Sequence, residues 1–119
     1  MKVVSVTSVP RSVWGANCSA WELVGTQGLS VKLEEMPPGT AETRHRHAQA
    51  RQVFFGLSGI LQIEVAGEVH QITPETALDV PPGVAHQARN TSEVMARFLV
   101  ISAPGTAQDR EELAPDGAV

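Results

Sequence analysis

Three of the four histidines in the chain fall in two short segments whose spacing suits a metal site. His45 and His47 are separated by one residue, so on a β-strand both imidazoles would point to the same face. His86 follows the turn Pro81-Pro82-Gly83 and could meet them from another strand. Neutral imidazole is the commonest protein ligand for transition metals. The spacing therefore predicts that His45, His47 and His86 bind one divalent transition metal (Fe, Mn, Ni or Zn) inside a small barrel.

The alternative is that these residues are ordinary strand histidines satisfied by hydrogen bonds. A single histidine would usually be that, but three at these spacings favour metal binding. The fourth histidine, His70, lies outside both segments and is expected to be a surface or cross-strand residue.

The elements that must position the histidines are short strands. Alternating apolar and polar residues at 29–36 and 60–66 predict half-buried strands, and Leu33 is expected inward with Lys32 and Glu34 on the outer face. Turn residues recur at close intervals, so the chain contains about ten short strands and almost no helix. This pattern indicates an all-β sandwich or barrel. The other predicted strands include residues 3–10, 21–24, 52–57, 69–73, 77–80, 86–90 and 94–102.

The chain is predicted to form one barrel domain over residues 1–102, with a motif core at 36–102. Residues 103–119 contain Pro104, Gly105, Pro115 and Gly117 and are predicted to be a polar C-terminal tail on the surface, partly disordered. One helical turn is expected within it, at 108–113.

Composition excludes several classes of function. A length of 119 residues suits one domain, and 42% apolar with 18% charged residues is typical of a globular protein. A net charge of −4 gives no case for nucleic acid or an anionic membrane as partner. The start has no signal-peptide pattern and no apolar stretch is long enough to span a membrane, so a cytoplasmic location is expected. Cys18 is the only cysteine, which leaves no internal disulfide and no cysteine-based zinc site.

Segments 39–59 and 81–90 together resemble the two motifs of the cupin superfamily, and in particular those of small single-domain bacterial cupins. The resemblance covers about residues 36–102, and the short spacer after Gly59 is also similar to theirs. The residues that carry it are Gly39, His45, His47, Gln52 and Gly59 in the first motif, and Pro81, Gly83, His86 and Asn90 in the second.

The resemblance implies a single-domain jelly-roll (cupin) β-barrel with a divalent metal near its centre, and a homodimer. Residues 3–9 also favour a homodimer, because a lone barrel would leave this apolar, β-prone segment exposed or at a sheet edge. Known cupins include dioxygenases, isomerases, decarboxylases, lyases, sugar-binding regulators and storage proteins. The fold therefore does not select an activity.

Two residues depart from the family pattern. Gln52 stands where the family usually has Glu, and Glu75 stands where it usually has Gly. A turn of type I with Pro74 at its first central position would accept Glu75 next. Gln52 offers a neutral carbonyl oxygen and cannot act as a general acid or base. It could be a weak ligand, a residue that orients water or substrate beside the metal, or a polar relic.

Two classes of function follow from these features. The first is a metal-dependent oxygenase that acts on a small organic molecule, because a neutral ligand set leaves open, Lewis-acidic positions on the metal. The second is a non-catalytic cupin, with or without metal, that binds a small organic anion or a sugar. The sequence assigns no catalytic residue. The cavity around the metal is expected to be lined by Met36, Phe54, Leu61, Val80 and Phe98, for each of which plain core packing is the alternative.

Overall fold

The computed structural model describes residues 1–115, which form eleven strands in two antiparallel sheets and no helix. The six-stranded sheet has the order β1-β2-β3-β10-β5-β8, and the five-stranded sheet has the order β11-β4-β9-β6-β7. This confirms the predicted all-β jelly-roll barrel. The strands are β1 (Arg11–Trp14), β2 (Cys18–Gly25), β3 (Ser30–Met36), β4 (His45–Arg46), β5 (Arg51–Ser58), β6 (Leu61–Val65), β7 (Glu68–Ile72), β8 (Ala77–Val80), β9 (His86–Arg89), β10 (Ala96–Ala103) and β11 (Glu111–Glu112).

The core lies between the sheets and is built by period-two alternation. Along β10, every second residue from Ala96 to Ser102 is buried, and along β5 the buried positions are Gln52, Phe54 and Gly56. Because side chains alternate along a strand, these residues share the inner face of the large sheet. The hydrophobic core comprises Cys18, Met36, Phe54, Leu61, Ile63, Ile72, Val80, Ala88, Ala96, Phe98 and Val100.

Strand pairing brings the two histidine segments together. His45 of β4 lies directly opposite His86 of β9 in the small sheet. Gln52 lies in the large sheet, where β5 pairs it with Ser102 on one side and Val80 on the other. The inner faces of the two sheets thus present the histidines and Gln52 to each other.

The strand predicted at residues 3–10 is wrong. Residues 6–9 form a turn, and the first strand begins at Arg11. The backbone N–H groups of Ser8 and Val9 both donate to the carbonyl of Ser5, and the Ser5 hydroxyl accepts from the N–H of Thr7. Serine and threonine side chains compete with sheet pairing by such local hydrogen bonds.

The helical turn predicted at residues 108–113 is also wrong, because Glu111–Glu112 forms β11 and pairs with β4. The division into a barrel and a tail at residue 102 stays a prediction. Residues 116–119 of the predicted tail lie outside the described residues.

The turn at Pro74-Glu75 differs from the predicted type I geometry. Glu75 has a φ of 65°, in the left-handed region that a glycine adopts easily. Thr76 N–H donates to the carbonyl of Thr73, which together with this φ defines a type II turn. The N–H of Glu75 also donates to the carbonyl of Gly56 at 2.9 Å, and this hydrogen bond holds the residue in a conformation that glutamate otherwise avoids.

Within residues 1–115 there is no helix of the length and apolar character needed to cross a membrane.

Candidate metal centre

His45, His47 and His86 converge inside the barrel. Each offers a ring nitrogen, and these three atoms lie within 4.8 Å of one another. The residues are 2%, 4% and 1% exposed, so water covers almost none of their surface. The structure therefore brings together the three histidines that the sequence predicts as metal ligands.

The other ring nitrogen of each histidine is occupied by a backbone carbonyl. Nδ1 of His45 donates to Thr43 O at 2.8 Å, and Nδ1 of His86 donates to Val84 O at 3.0 Å. Nδ1 of His47 donates to the carbonyl of Asp109. A carbonyl oxygen can only accept, so the proton of each neutral ring is at Nδ1 and Nε2 keeps its lone pair. This is the tautomer that binds a metal through Nε2.

A metal ion fits this arrangement of donors. Nε2 of His47 is buried and has no hydrogen-bond partner among the described residues. An orphaned buried acceptor costs about 1–3 kcal/mol, and most buried polar groups in proteins avoid that cost. A divalent cation shared with the other two imidazoles would satisfy it.

Burial favours the neutral form of His45 and His86. It lowers the pKa of His45 to about 3, although the hydrogen bond to Thr43 acts in the opposite direction. Burial likewise lowers the pKa of His86, and the nearby His47 adds to the effect. Since only the neutral imidazole binds a metal, these two ligands are ready to bind at neutral pH.

Gln52 faces the cluster through its carbonyl oxygen. Its Nε2 donates to the Ser102 hydroxyl at 3.0 Å, and its Oε1 lies 3.0 Å from Nε2 of His86. With the His86 proton on Nδ1, these two atoms are both acceptors. Two adjacent ligands at right angles, each about 2.1 Å from a metal, would lie about 3 Å apart. The Gln52–His86 contact therefore suits a shared cation.

A polar cavity of about 290 Å³ adjoins the histidines, and several of its residues were missed by the sequence analysis. Lys32 and Glu34 were expected on the outer face of their strand, and this was wrong. Val100 and Phe98 lie opposite them on β10 and are part of the core, so all four share the inner face. The alternation was predicted correctly, but the face was not.

Two carboxyl groups in the cavity wall have raised pKa values. Burial raises the pKa of Glu34 to about 7, although the positive charges of Lys32 and Arg110 act against the rise. Burial raises the pKa of Glu42 to about 8, against the effect of the Ala88 N–H that donates to it at 2.8 Å. The cavity therefore contains groups that can exchange a proton near neutral pH, which Gln52 cannot do.

The remaining predicted cavity residues lie in different surroundings. Phe54 lines the cavity beside the histidines. Met36, Leu61, Val80 and Phe98 belong to the hydrophobic core and are not part of this cavity wall. The amide nitrogen of Asn90 donates to Met36 O and Val94 O and so braces the chain after β9. His70 is partly exposed on β7, and its ring lies 3.8 Å from the Glu68 carboxylate.

The cupin domain family matches residues 32–102, more than half of the chain. This chain belongs to the cupin family. An uncharacterized protein of Streptomyces coelicolor, SCO3923, is 33% identical over 90 residues, which cover 75% of this chain and 85% of that protein.

Solved structures show the same fold at low sequence identity. The polyketide cyclase RemF from Streptomyces resistomycificus superposes with a TM-score of 0.80 at 20% identity, covering 98% of this chain and 89% of that one. A sugar phosphate isomerase of the cupin superfamily from Silicibacter pomeroyi superposes with a TM-score of 0.79 at 20% identity, covering 98% and 95%. These two likenesses concern the fold alone.

The raised pKa of Glu34 predicts a pH-dependent stability. The folded state holds this proton up to about pH 7, whereas the unfolded chain releases it above 4.5, so folding stability falls as pH rises through this window. Glu34→Gln abolishes that loss. Between about pH 5 and pH 8, we expect the variant to gain roughly 1–3 kcal/mol in unfolding free energy relative to wild type. Denaturant unfolding in the presence of a chelator measures it.

The matched control is Glu35→Gln, the next residue of β3, whose carboxylate pairs with Arg97 outside the cavity. Glu35→Gln should not show this pH-dependent gain in unfolding free energy. An equal gain in both variants, or no gain in Glu34→Gln, would contradict the assignment of Glu34 to the cavity.

Proposed function

We propose that this cupin binds one divalent transition metal through the Nε2 atoms of His45, His47 and His86. The observation that supports this most strongly is that all three Nδ1 atoms donate to backbone carbonyls and leave the three lone pairs free. We further propose Gln52 Oε1 as a neutral fourth ligand, supported by its 3.0 Å approach to His86 Nε2.

We propose a small organic anion as the ligand of the cavity. Lys32 and Arg110 line the cavity together with His45 and His47, so two positively charged side chains are available to a bound anion. A volume of about 290 Å³ lies at the low end for small-molecule sites, which span roughly 300–1,000 Å³. Carboxylate or enolate oxygens would suit both the metal and these cations.

The favoured activity is that of a metal-dependent oxygenase. His45, His47 and His86, with Gln52 as a neutral oxygen donor, would hold Fe(II), which when bound would supply the redox chemistry of an oxygenase. The role of the chain is to hold the imidazoles, to orient the anion through Lys32 and Arg110, and to limit the access of water to the buried histidines. The non-catalytic alternative is a barrel that binds the same anion without turnover. Oxygen uptake by the Fe(II)-loaded protein with small carboxylates separates the two.

The carboxyl groups of Glu34 and Glu42 favour a second candidate, which is non-redox carbonyl chemistry such as cyclisation. Their pKa values of about 7 and 8 suit donation and acceptance of protons near neutral pH. The polyketide cyclase RemF has the same fold. In this candidate the three histidines would hold a metal that supplies Lewis acidity, and Glu34 or Glu42 would move the proton.

We also propose that the protein is a homodimer. β1 is an edge strand of the six-stranded sheet, and its Val13 is exposed, as is Val3. An exposed edge with apolar residues favours pairing with a second chain. Light scattering at micromolar concentration should give the mass of two chains, and the mass of one chain would contradict the proposal.

Metal titration tests the proposed centre. Wild type stripped with a chelator should bind one equivalent of a divalent metal such as Zn(II) or Co(II), and His47→Ala should abolish stoichiometric binding. Gln52→Glu places an anionic oxygen beside a +2 charge, an attraction of several kcal/mol before desolvation at an effective dielectric of about 20. We therefore expect it to raise affinity roughly tenfold or more. Competition against a chromophoric chelator measures all three.

His70→Ala is the matched control, because His70 is the one histidine outside the cluster, and it should bind like wild type. Equal affinities of wild type and Gln52→Glu would remove Gln52 from the site. Wild type that binds no metal would contradict the proposed function itself.

A further inference from the structure

The segment 106–113 follows the last long strand, lies outside both sequence motifs, and reaches the metal centre. Thr106, Ala107 and Arg110 of this C-terminal segment line the cavity beside the histidines. Asp109 contacts the cluster directly, because its backbone carbonyl accepts from Nδ1 of His47. The C-terminal segment is therefore part of the wall of the centre.

His47 differs from the other two histidines in where its carbonyl partner lies. His45 and His86 each donate to the carbonyl two residues earlier in the chain. For these two histidines, the ring and its acceptor are therefore positioned by the same local segment. The partner of His47 is 62 residues away in sequence. The tautomer and orientation of His47 therefore depend on docking of the C-terminal segment.

The Asp109 side chain fixes that docking. Its carboxylate accepts the backbone N–H of Ala48 at 2.7 Å, of Gln49 at 3.0 Å and of Ala50 at 2.9 Å. These three residues are the link between His47 and β5, which carries Gln52. Three N–H groups directed at one carboxylate are charge-assisted hydrogen bonds, roughly twice as strong as neutral ones. The same residue thus anchors the loop after His47 and holds the ring of His47.

We propose that Asp109 is a positioning residue for the metal ligand His47, which it holds in the Nδ1–H tautomer with Nε2 directed at the metal. This inference rests on the proposed metal centre. By linkage, a metal bound at Nε2 stabilises docking of the C-terminal segment to the same extent that docking stabilises the metal. The ligand concerned is a divalent transition metal, and Asp109 acts on it only through His47.

The segment has further attachments, so a change at Asp109 does not release it. Leu113 N–H donates to Arg44 O at 2.7 Å, and β11 pairs with β4. Arg46 and Glu111 form an exposed ion pair at 2.8 Å. Because exposed pairs contribute little to stability, Glu111→Gln is a matched control that changes a carboxylate of the same segment without touching the cluster.

The experiment uses the full chain, as wild type, Asp109→Asn and Glu111→Gln. In Asp109→Asn, an amide NH₂ replaces one acceptor and opposes a backbone N–H, so the carbonyl of residue 109 shifts relative to His47. Histidine ¹⁵N chemical shifts of the metal-free proteins report each ring's tautomer. Competitive titration with Co(II) reports affinity. Outer hydrogen-bond partners of metal ligands typically contribute 10–100-fold in affinity.

We expect Asp109→Asn to lose the single tautomer at His47 but to keep it at His45 and His86, and to bind Co(II) about tenfold more weakly. Glu111→Gln should match wild type in both measurements. An unchanged His47 tautomer with unchanged Co(II) affinity in Asp109→Asn would overturn the inference. Should Asp109→Asn fail to fold, Asp109→Glu, which displaces the same carboxylate by one methylene, is measured with the same expectation and the same contrary result.

The two proposals fail in different ways. A wild type that binds no Co(II), but whose His47 tautomer depends on Asp109, contradicts the proposed function and leaves the positioning of His47 intact. A wild type that binds Co(II) with the same affinity and tautomer as Asp109→Asn contradicts the positioning role alone.

Discussion

The hydrogen bond from each Nδ1 to a backbone carbonyl is the interaction on which the centre depends. It decides which nitrogen carries the proton, and therefore whether three lone pairs or three N–H groups meet inside the barrel. Two of these bonds are local, to the carbonyls of Thr43 and Val84, and the third is donated by His47 to the carbonyl of Asp109. The jelly roll supplies the rigid frame that brings the three rings together.

A polar centre inside a small barrel carries an energetic cost that the surrounding structure must offset. The buried groups include three imidazoles and Gln52, with Glu34 and Glu42 in the adjoining cavity wall. Burial lowers the pKa of His45 and His86 and raises the pKa of Glu34 and Glu42, which favours the neutral form of each, while Lys32 and Arg110 bring positive charge to the cavity. Such a cavity favours a cation at the imidazoles and an anion beside it, which links the proposed metal to the proposed ligand.

The histidine cluster was predictable from the sequence because it rests on two local properties. One is the alternation of side chains that points His45 and His47 to the same face, and the other is the turn before β9. The sequence also predicted the all-β barrel, since turn residues recur at short intervals. It failed for β3, where Lys32 and Glu34 face inward, because the hydrophobicity rule assigns polar residues to the outside and cannot foresee a polar cavity. One signal was available. Met36, which is predicted to line the cavity, is two residues from Glu34 and therefore points to the same face of the strand. The sequence also failed for Asp109, because no local pattern marks a contact 62 residues distant.

X-ray absorption at the metal edge tests the central claim most directly. For protein loaded with one equivalent of Zn(II) or Co(II), three imidazoles predict nitrogen and oxygen neighbours at about 2.0–2.2 Å, with outer-shell scattering from three rings and no sulfur. Cys18 is buried in the hydrophobic core and belongs to no histidine cluster, so its sulfur should be absent from the spectrum. A sulfur neighbour at about 2.3 Å, or scattering from fewer than three imidazoles, would contradict the account.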